Sequence, residues 1–116
     1  MKILNSTRHV VLAEQAVLAD SFWPRLKGLL GRQEMGISEG LVITRCQSIH
    51  MFFMRFPIDI IFVDAKDVVV GIVQNIQPFQ LSPVFWKADK AIELPGGVIA
   101  RTRTAEGDRI TFPSFH

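Results

Sequence analysis

The most apolar segment of the chain is Cys46-Gln47-Ser48-Ile49-His50-Met51-Phe52-Phe53-Met54-Arg55-Phe56-Pro57-Ile58-Asp59-Ile60-Ile61-Phe62-Val63-Asp64. Between Ile49 and Val63 nearly every residue is apolar, and many are β-branched or aromatic, as in buried strands. Pro57 interrupts the segment, because proline cannot donate to a sheet and holds the residue before it extended. We therefore predict two buried strands that meet at Pro57.

Alternation along each predicted strand divides its side chains between two faces. In the first strand one face carries Cys46, Ser48, His50, Phe52 and Met54, and the other carries Ile49, Met51 and Phe53. In the second strand one face carries Ile58, Ile60 and Phe62, and the other carries Asp59, Ile61 and Val63. Because all of these faces are mostly apolar, we expect other parts of the chain to cover them.

Asp59 is then an acidic side chain in a dry environment. An unpaired carboxylate there costs several kcal/mol or takes up a proton. We therefore expect Asp59 to be paired, and His50 and Arg55 are the nearest candidates along the chain. Two interpretations stay open: hydrogen bonds of Asp59 fix a strand crossing, or Asp59 takes part in ligand binding or catalysis.

Length and composition predict a single domain over residues 1–116. The chain is long enough to bury its own core, and 48% of its residues are hydrophobic. Its longest apolar run is broken by Arg55, Pro57 and Asp59 and falls short of the roughly 18 to 20 residues that span a bilayer. The first nine residues lack a signal-peptide pattern. We expect a cytoplasmic protein with no membrane association.

Cysteine usage and charge further limit the compartments and functional classes that fit the sequence. The single cysteine, Cys46, excludes an internal disulfide and suits a reducing compartment, and its apolar setting favours an inert buried thiol. The 13 basic and 11 acidic residues give a net charge of +2 and are spread along the chain. Nucleic-acid-binding proteins cluster Lys and Arg, so no nucleic-acid partner is favoured. We expect a monomer or a weak homodimer.

The segments before the central one are predicted to form a hairpin and a helix. Residues 9–13 and 16–19 are apolar runs on either side of Glu14-Gln15, which predicts strand, turn and strand. The amphipathic pattern of residues 24–30 predicts a short helix that ends at Gly31. After a polar loop, Leu41-Val42-Ile43 begins the strand that leads into the central segment.

The segments after the central segment are predicted to complete a sheet. Residues 64–67 suit a turn into a strand over residues 68–73. Residues 75–86 are irregular, and their aromatic side chains form either a lid over a cavity or a plug in the end of a barrel. Residues 90–94 form a strand. A short helix follows Gly96-Gly97, and its first amides could bind an anion. A last strand covers residues 109–112.

Together these elements predict an α+β fold that is mainly β. We expect a compact antiparallel sheet or half-closed barrel with one or two short helices.

Several motifs occur in this order: Arg25 with Gly28-Leu29-Leu30-Gly31-Arg32, Ser48-x-His50-x-x-x-Met54, Pro57-Ile58-Asp59-x-x-Phe62-x-Asp64, Glu93-Leu94-Pro95-Gly96-Gly97 and Gly107-Asp108. Their combination, over roughly residues 25–112, resembles domain of unknown function (DUF) family 192, a widespread bacterial and archaeal family. The resemblance implies a compact β-rich α+β domain and no established activity. Members often carry a glycine in the turn after Asp64, which Ala65-Lys66-Asp67 lacks.

The first functional hypothesis is a non-enzymatic module that binds a small ligand. A half-closed antiparallel sheet leaves a mouth in which polar side chains can contact a small molecule. The candidate ligand-binding residues are Ser48, His50, Arg55, Asp59, Glu93 and Gly96.

Two other hypotheses stay open, and a third is disfavoured. In a small hydrolase or transferase, His50 would be the general base, oriented by Asp59, with Ser48 or a water as nucleophile. In a protein-interaction domain, exposed aromatic side chains would pack on a partner. A metal site at Cys46, His50 and Met54 is disfavoured, because residues four apart on a strand are roughly 13 Å apart. We expect no metal and no cofactor.

Overall fold

A computed structural model describes residues 1–19, 35–49 and 56–112 of the chain. This part contains one short helix and eight strands: β1 (Ile3–Asn5), β2 (Val10–Ala13), β3 (Gln15–Ala19), β4 (Glu39–Thr44), β5 (Ile58–Val63), β6 (Val69–Ile76), β7 (Lys90–Pro95), α1 (Val98–Thr102) and β8 (Ile110–Thr111). The prediction of a mainly β α+β fold is confirmed. The helix predicted over residues 24–30 lies outside the described residues. Within them, no helix is long and apolar enough to cross a membrane.

The strands form two sheets. The three-stranded sheet has the order β2-β1-β8 and is antiparallel. The five-stranded sheet has the order β3-β4-β7-β5-β6, and every neighbouring pair is antiparallel except β3 and β4, which run parallel. In the part of the chain that the structure describes, the two sheets do not close into a barrel.

Strand β5 lies inside the five-stranded sheet, and all six of its residues are buried. Ile58, Ile60 and Phe62 belong to one apolar cluster. Ile61 and Val63 belong to another. The predicted strand, its alternation and the covering of both faces are therefore confirmed.

The two clusters lie on opposite faces of the five-stranded sheet. The inner face, which carries Ile61 and Leu94, packs against side chains of β1, β2, α1 and β8. The outer face, which carries Ile60 and Phe62, packs against Ile49 and other side chains outside the sheet. Burial of each such side chain contributes about 1.5 to 3 kcal/mol, so both faces contribute to stability.

The hairpin predicted over residues 9–19 is wrong, although both of its strands exist. Strand β2 pairs with β1, and β3 pairs with β4. Neither Glu14 nor Gln15 has the positive φ that two-residue hairpin turns need. Their N–H groups both donate to the carbonyl oxygen of Ser38, at 3.0 Å each. The chain therefore passes from one sheet to the other at this point instead of reversing.

The strand predicted to begin at Cys46 is absent over residues 46–49. Strand β4 ends at Thr44, and the next residue, Arg45, has a φ of 54°. The segment then pairs irregularly with a later loop, because the carbonyl oxygen of Ile49 accepts the N–H of Ser82 at 2.8 Å. The remainder of the predicted strand, including His50 and Arg55, lies outside the described residues.

The hairpin between β5 and β6 is confirmed. Its turn works without glycine because Asp67 adopts a φ of 63° and the side chain of Asp64 holds the loop. Asp64 Oδ1 accepts the N–H groups of Val68 at 3.0 Å and Lys66 at 2.9 Å. The bond from Val68 is the main cause that holds the pKa of Asp64 below its ordinary value.

Candidate functional site

Asp59 is a buried carboxylate on the inner face, opposite Leu94 of β7, and it is 1% exposed. Its Oδ1 accepts the N–H of Asn75 at 2.8 Å. Its Oδ2 accepts the N–H groups of Gly97 at 3.1 Å and Ile99 at 2.8 Å. These bonds use three of the carboxylate's four acceptor positions and offset the cost of its burial. The expectation that Asp59 is buried and paired is confirmed, with backbone amides as partners.

Gly97 makes this arrangement possible. Its φ of 98° lies in the left-handed region that residues with a Cβ adopt only with strain, and α1 begins at the next residue. No side chain of a neighbouring residue caps the helix. Asp59 takes that role from the middle of a strand. The anion predicted for the first amides of the helix is thus supplied by the chain itself.

The third hydrogen bond to Asp59 comes from the backbone of Asn75. The pairing of β5 with β6 shifts between Ile58 and Ile60, so Asp59 has no cross-strand partner in β6. Asn75 has a φ of 53°, and its N–H points to the carboxylate of Asp59 instead of to a strand. Asp59 therefore joins β5, β6 and α1 at one point.

Glu93 is a second buried carboxylate, and it lies on the other side of the sheet. It is 0% exposed and pairs with Leu41 of β4 and Ile60 of β5, which places its side chain on the outer face. Because neighbouring positions of paired strands alternate, Asp59 and Glu93 point to opposite faces. The two carboxylates therefore do not line one hollow.

The other candidate residues lie at the periphery or outside the described part. Ser48 is exposed, and its carbonyl oxygen accepts a hydrogen bond from Sγ of the half-buried Cys46 at 3.3 Å. Gly96 is exposed, directly before the Gly97 amide that donates to Asp59. The structure thus brings Gly96 to Asp59 and separates both from Glu93, while His50 and Arg55 lie outside the described residues.

The loop over residues 77–89 covers part of the outer face. Phe85 packs on Phe62 with ring centroids 4.6 Å apart and lies against Gly71. Other large apolar side chains of the loop face solvent, with Trp86 78% and Phe79 71% exposed. The loop therefore has one side anchored on the sheet and one apolar side that is open.

Sequence reasoning missed a second buried polar cluster. Asp108 Oδ2 accepts hydrogen bonds from Arg8 Nε at 2.8 Å and from Asn5 Nδ2 and the Ala105 N–H at 3.0 Å each. Asn5 also donates to Thr104 Oγ1 at 3.0 Å. Burial alone would raise the pKa of Asp108, but the bonds from Arg8, Asn5 and Ala105 outweigh it and hold that pKa below its ordinary value.

This cluster fastens the three-stranded sheet to the turn before β8. Its partners lie about a hundred positions apart in the chain, so no local pattern indicated it. The only signal was a polar residue, Asn5, directly after two apolar ones.

Of the three residues considered for a metal site, Cys46 is among the described residues, and His50 and Met54 lie outside them. Within residues 1–19, 35–49 and 56–112, no three His, Cys, Asp or Glu side chains are grouped as a metal ion would require.

Comparison with known proteins places these observations in a family. The sequence model of DUF192, described as "Uncharacterized ACR", matches residues 3–112. A UPF0127 protein from Thermococcus sibiricus is 32% identical over 93% of this chain and 72% of its own length. A UPF0127 protein from Thermococcus kodakarensis is 32% identical over 95% of this chain and 72% of its own length.

Two crystal structures share the fold. A protein of unknown function from Novosphingobium aromaticivorans has a TM-score of 0.82 and 27% identity, over 97% of this chain and 84% of that one. A proposed transcription regulator from Sinorhizobium meliloti has a TM-score of 0.74 and 21% identity, over 95% of this chain and 89% of that one.

Proposed function

The chain belongs to the uncharacterised family DUF192, and from that premise we propose that it is a non-enzymatic module that binds a small ligand at the outer face of its five-stranded sheet. The observation that carries the proposal is Glu93. It is a carboxylate that is 0% exposed, and its two cross-strand neighbours, Leu41 of β4 and Ile60 of β5, are apolar. An apolar residue would fill such a position at lower cost, so a carboxylate there suggests a functional role.

The surroundings of Glu93 suggest the class of ligand. A carboxylate accepts hydrogen bonds and favours a positive charge, whereas Leu41, Ile60 and Phe62 on the same face favour an apolar body. We therefore propose a small organic cation with an apolar part. From the sequence we keep Ser48, His50 and Arg55 as candidate contacts of the ligand. Gly96, which lies beside the Gly97 amide that donates to Asp59, is not part of this site.

The loop over residues 77–89 would act as the cover of this site. Four hydrogen bonds join it to the described residues 47–49: Ser82 N–H to Ile49 O at 2.8 Å, Phe85 N–H to Gln47 O at 2.8 Å, Gln47 Nε2 to Trp86 O at 2.8 Å and Ile49 N–H to Ser82 Oγ at 2.8 Å. Loops of this kind open around ligands in many proteins. Opening this one would give a ligand access to a carboxylate that is otherwise buried.

Asp59 has a supporting role in this proposal. Because three amides occupy its carboxylate, only one acceptor position is left to orient a catalytic histidine. The hydrolase or transferase hypothesis therefore has less support than ligand binding. A cytoplasmic location remains part of the proposal, since the single cysteine suits a reducing compartment.

Thermal denaturation with matched probes tests the ligand site. Benzylamine, benzyl alcohol and benzoate share an apolar ring and differ in the charge of the attached group. We expect benzylamine to raise the Tm most and benzoate to have no effect. The Glu93→Gln and His50→Ala variants should lose the benzylamine shift, whereas Glu106→Gln, which makes the same change at an exposed carboxylate in the turn before β8, should keep it. The same shift in Glu93→Gln, or no shift with any probe, would contradict the proposal.

A protein-interaction domain is the second candidate, and the exposed side of the loop favours it. Phe79, Leu81 and Trp86 are each more than half exposed, and such apolar side chains often contact a partner. Light scattering over a range of concentrations, with Trp86→Ser as the variant, separates the two candidates. Self-association that Trp86→Ser abolishes would support the protein-interaction candidate. A monomer at all concentrations would exclude self-association as the function of this loop.

A further inference from the structure

A surface hollow of about 330 Å³ lies where β2, α1 and the turn before β4 meet. It is lined by Val11, Leu12, Ala13, Glu14, Ile37, Ser38 and Arg101. Leu12 and Ala13 are 1% exposed and belong to the inner apolar cluster, so they form its floor and place it across the five-stranded sheet from Glu93. Ligand pockets hold roughly 300 to 1,000 Å³, so the hollow suits a small molecule. It is separate from the outer-face site proposed above.

Two side chains of opposite charge line the hollow. Arg101 lies in the last turn of α1, is exposed, and its guanidinium has no hydrogen bond or ion pair with the described residues. The carboxylate of Glu14 lies 3.9 Å from Lys2 Nζ with both side chains half exposed, and water weakens such a pair. Within the described part of the chain, Glu14 and Arg101 do not pair with each other. Both charges are therefore available to a ligand.

These charges favour a ligand that carries both signs. A simple carboxylate is attracted by Arg101 and repelled by Glu14, and a simple amine is attracted by Glu14 and repelled by Arg101. A zwitterion is attracted by both, because its carboxylate accepts hydrogen bonds from the guanidinium while its ammonium donates to the carboxylate of Glu14. Ile37 is 84% exposed and, with Val11, offers an apolar contact to the rest of the molecule.

We propose that this hollow binds a free α-amino acid with an apolar side chain. Arg101 holds the α-carboxylate, Glu14 holds the α-ammonium, and the apolar side chain lies against Val11 and Ile37. An α-amino acid carries its two charges on neighbouring atoms of one small molecule, which suits a hollow of this size. Because both charged side chains are exposed to water, the affinity is modest, with a Kd of about 1 mM.

Titration of the isotope-labelled full chain, followed through its amide NMR shifts, tests the proposal with L-leucine, N-acetyl-L-leucine, L-leucinamide and glycine. Acetylation removes the ammonium charge, amidation removes the carboxylate, and glycine lacks the apolar side chain. We expect L-leucine to shift the amides of residues 11–14 and 37–38 in a saturable way, and each other probe to bind at least about fivefold more weakly. Equal affinities for L-leucine and N-acetyl-L-leucine, or no saturable shift with L-leucine, overturn the proposal.

Variants in the same titration assign each charge to its partner. Arg101→Gln should weaken L-leucine binding about fivefold and should not weaken L-leucinamide, which lacks the carboxylate. Glu14→Gln should weaken L-leucine similarly and should not weaken N-acetyl-L-leucine, which lacks the ammonium. The matched controls Arg103→Gln and Glu106→Gln change exposed residues outside the hollow and should bind L-leucine as the natural chain does. Unchanged L-leucine binding in Arg101→Gln or in Glu14→Gln, or an equal loss in the controls, overturns the proposal.

Discussion

The carboxylate of Asp59 accepts the N–H of Ile99 at 2.8 Å across 40 positions of sequence. With the Gly97 N–H on the same oxygen, it provides a negative charge at the start of a helix that has only five residues. A helix this short is unstable by itself, so its position depends on contacts such as this one. The fold around the Gly96-Gly97 turn therefore depends on a side chain from the middle of the sheet.

Replacement of Asp59 should destabilise the fold strongly. In Asp59→Ala the amides of Asn75, Gly97 and Ile99 lose their acceptor, and we expect a loss of about 3 to 5 kcal/mol in the free energy of unfolding. Asp59→Asn keeps one acceptor oxygen and should lose less. Urea denaturation measures both. Asp89→Asn, at a half-buried carboxylate 3.3 Å from Lys90 Nζ, should cost less than about 1 kcal/mol. Equal losses at positions 59 and 89 would contradict the structure.

The two glycines of the turn should respond differently to alanine. Gly97 has a φ of 98° with no atom near its Cβ position, so Gly97→Ala should cost about 1 to 2 kcal/mol through backbone strain alone. Gly96 has no positive φ, and an added Cβ would lie at an ordinary 3.4 Å from Asn75 Oδ1. Gly96→Ala should therefore change stability by less than about 0.5 kcal/mol. Chemical denaturation of the two variants side by side checks this difference, and a larger loss at Gly96 would exclude it.

The contact of Phe85 with Gly71 should be visible as coupling between the two positions. A Cβ at Gly71 would overlap the ring of Phe85, which rests on Phe62, so Gly71→Ala should cost about 1 to 3 kcal/mol. In the double variant Gly71→Ala, Phe85→Leu, we expect a loss of unfolding free energy that is smaller than the sum of the losses in the two single variants. A double-mutant cycle in urea measures this. Strict additivity would mean that the loop is not anchored on the sheet at Phe85.

Stability should fall in acid partly through Asp108. Its pKa is lower in the folded chain than its ordinary value of about 3.9, so the unfolded state binds more protons as the pH falls. The stabilisation from Asp108 is therefore complete above pH 5 or so and is lost as the pH falls through the folded pKa.

Two variants check the source of this pH dependence. Asp108→Asn should flatten the decline of unfolding free energy between pH 5 and 2, roughly, and Arg8→Gln should flatten it less because Asn5 and Ala105 still donate to Asp108. Asp64, whose pKa is also lowered, contributes the same background in every chain compared. Identical slopes in the natural chain and in Asp108→Asn would remove Asp108 as a cause.

Elements whose information is local were predictable from sequence. Strand β5 has an unbroken apolar run, and its alternation correctly separated Ile60 from Ile61. The turn at Asp64 has a local signal, because the side chain of this acidic residue bonds the loop. The helix after Gly97 has another, because it is preceded by a glycine, which can adopt a positive φ. The burial of Asp59 followed from its neighbours alone.

Elements that depend on distant partners were not predictable. The direction of β3 follows from Ser38, whose carbonyl oxygen accepts both amides at the junction with β2. Strand β1 is too short, at three residues, to show a period. The partners of Asp59 come from 16, 38 and 40 positions away. The placement of Asp59 and Glu93 on opposite faces could not be predicted without the register of β5 against β7. That register cannot be read from the sequence of either strand alone.

The pairing of β1 with β8 has a consequence for synthesis on the ribosome. Leu4 and Asn5 lie opposite Thr111 and Ile110, so the central strand of the smaller sheet acquires its second neighbour only after residues 110–111 have been translated. Contacts between such distant positions slow folding, because a long loop must close before they form. A nascent chain would therefore keep one edge of β1 uncovered until β8 emerges, and this is the interval in which a chaperone would protect it.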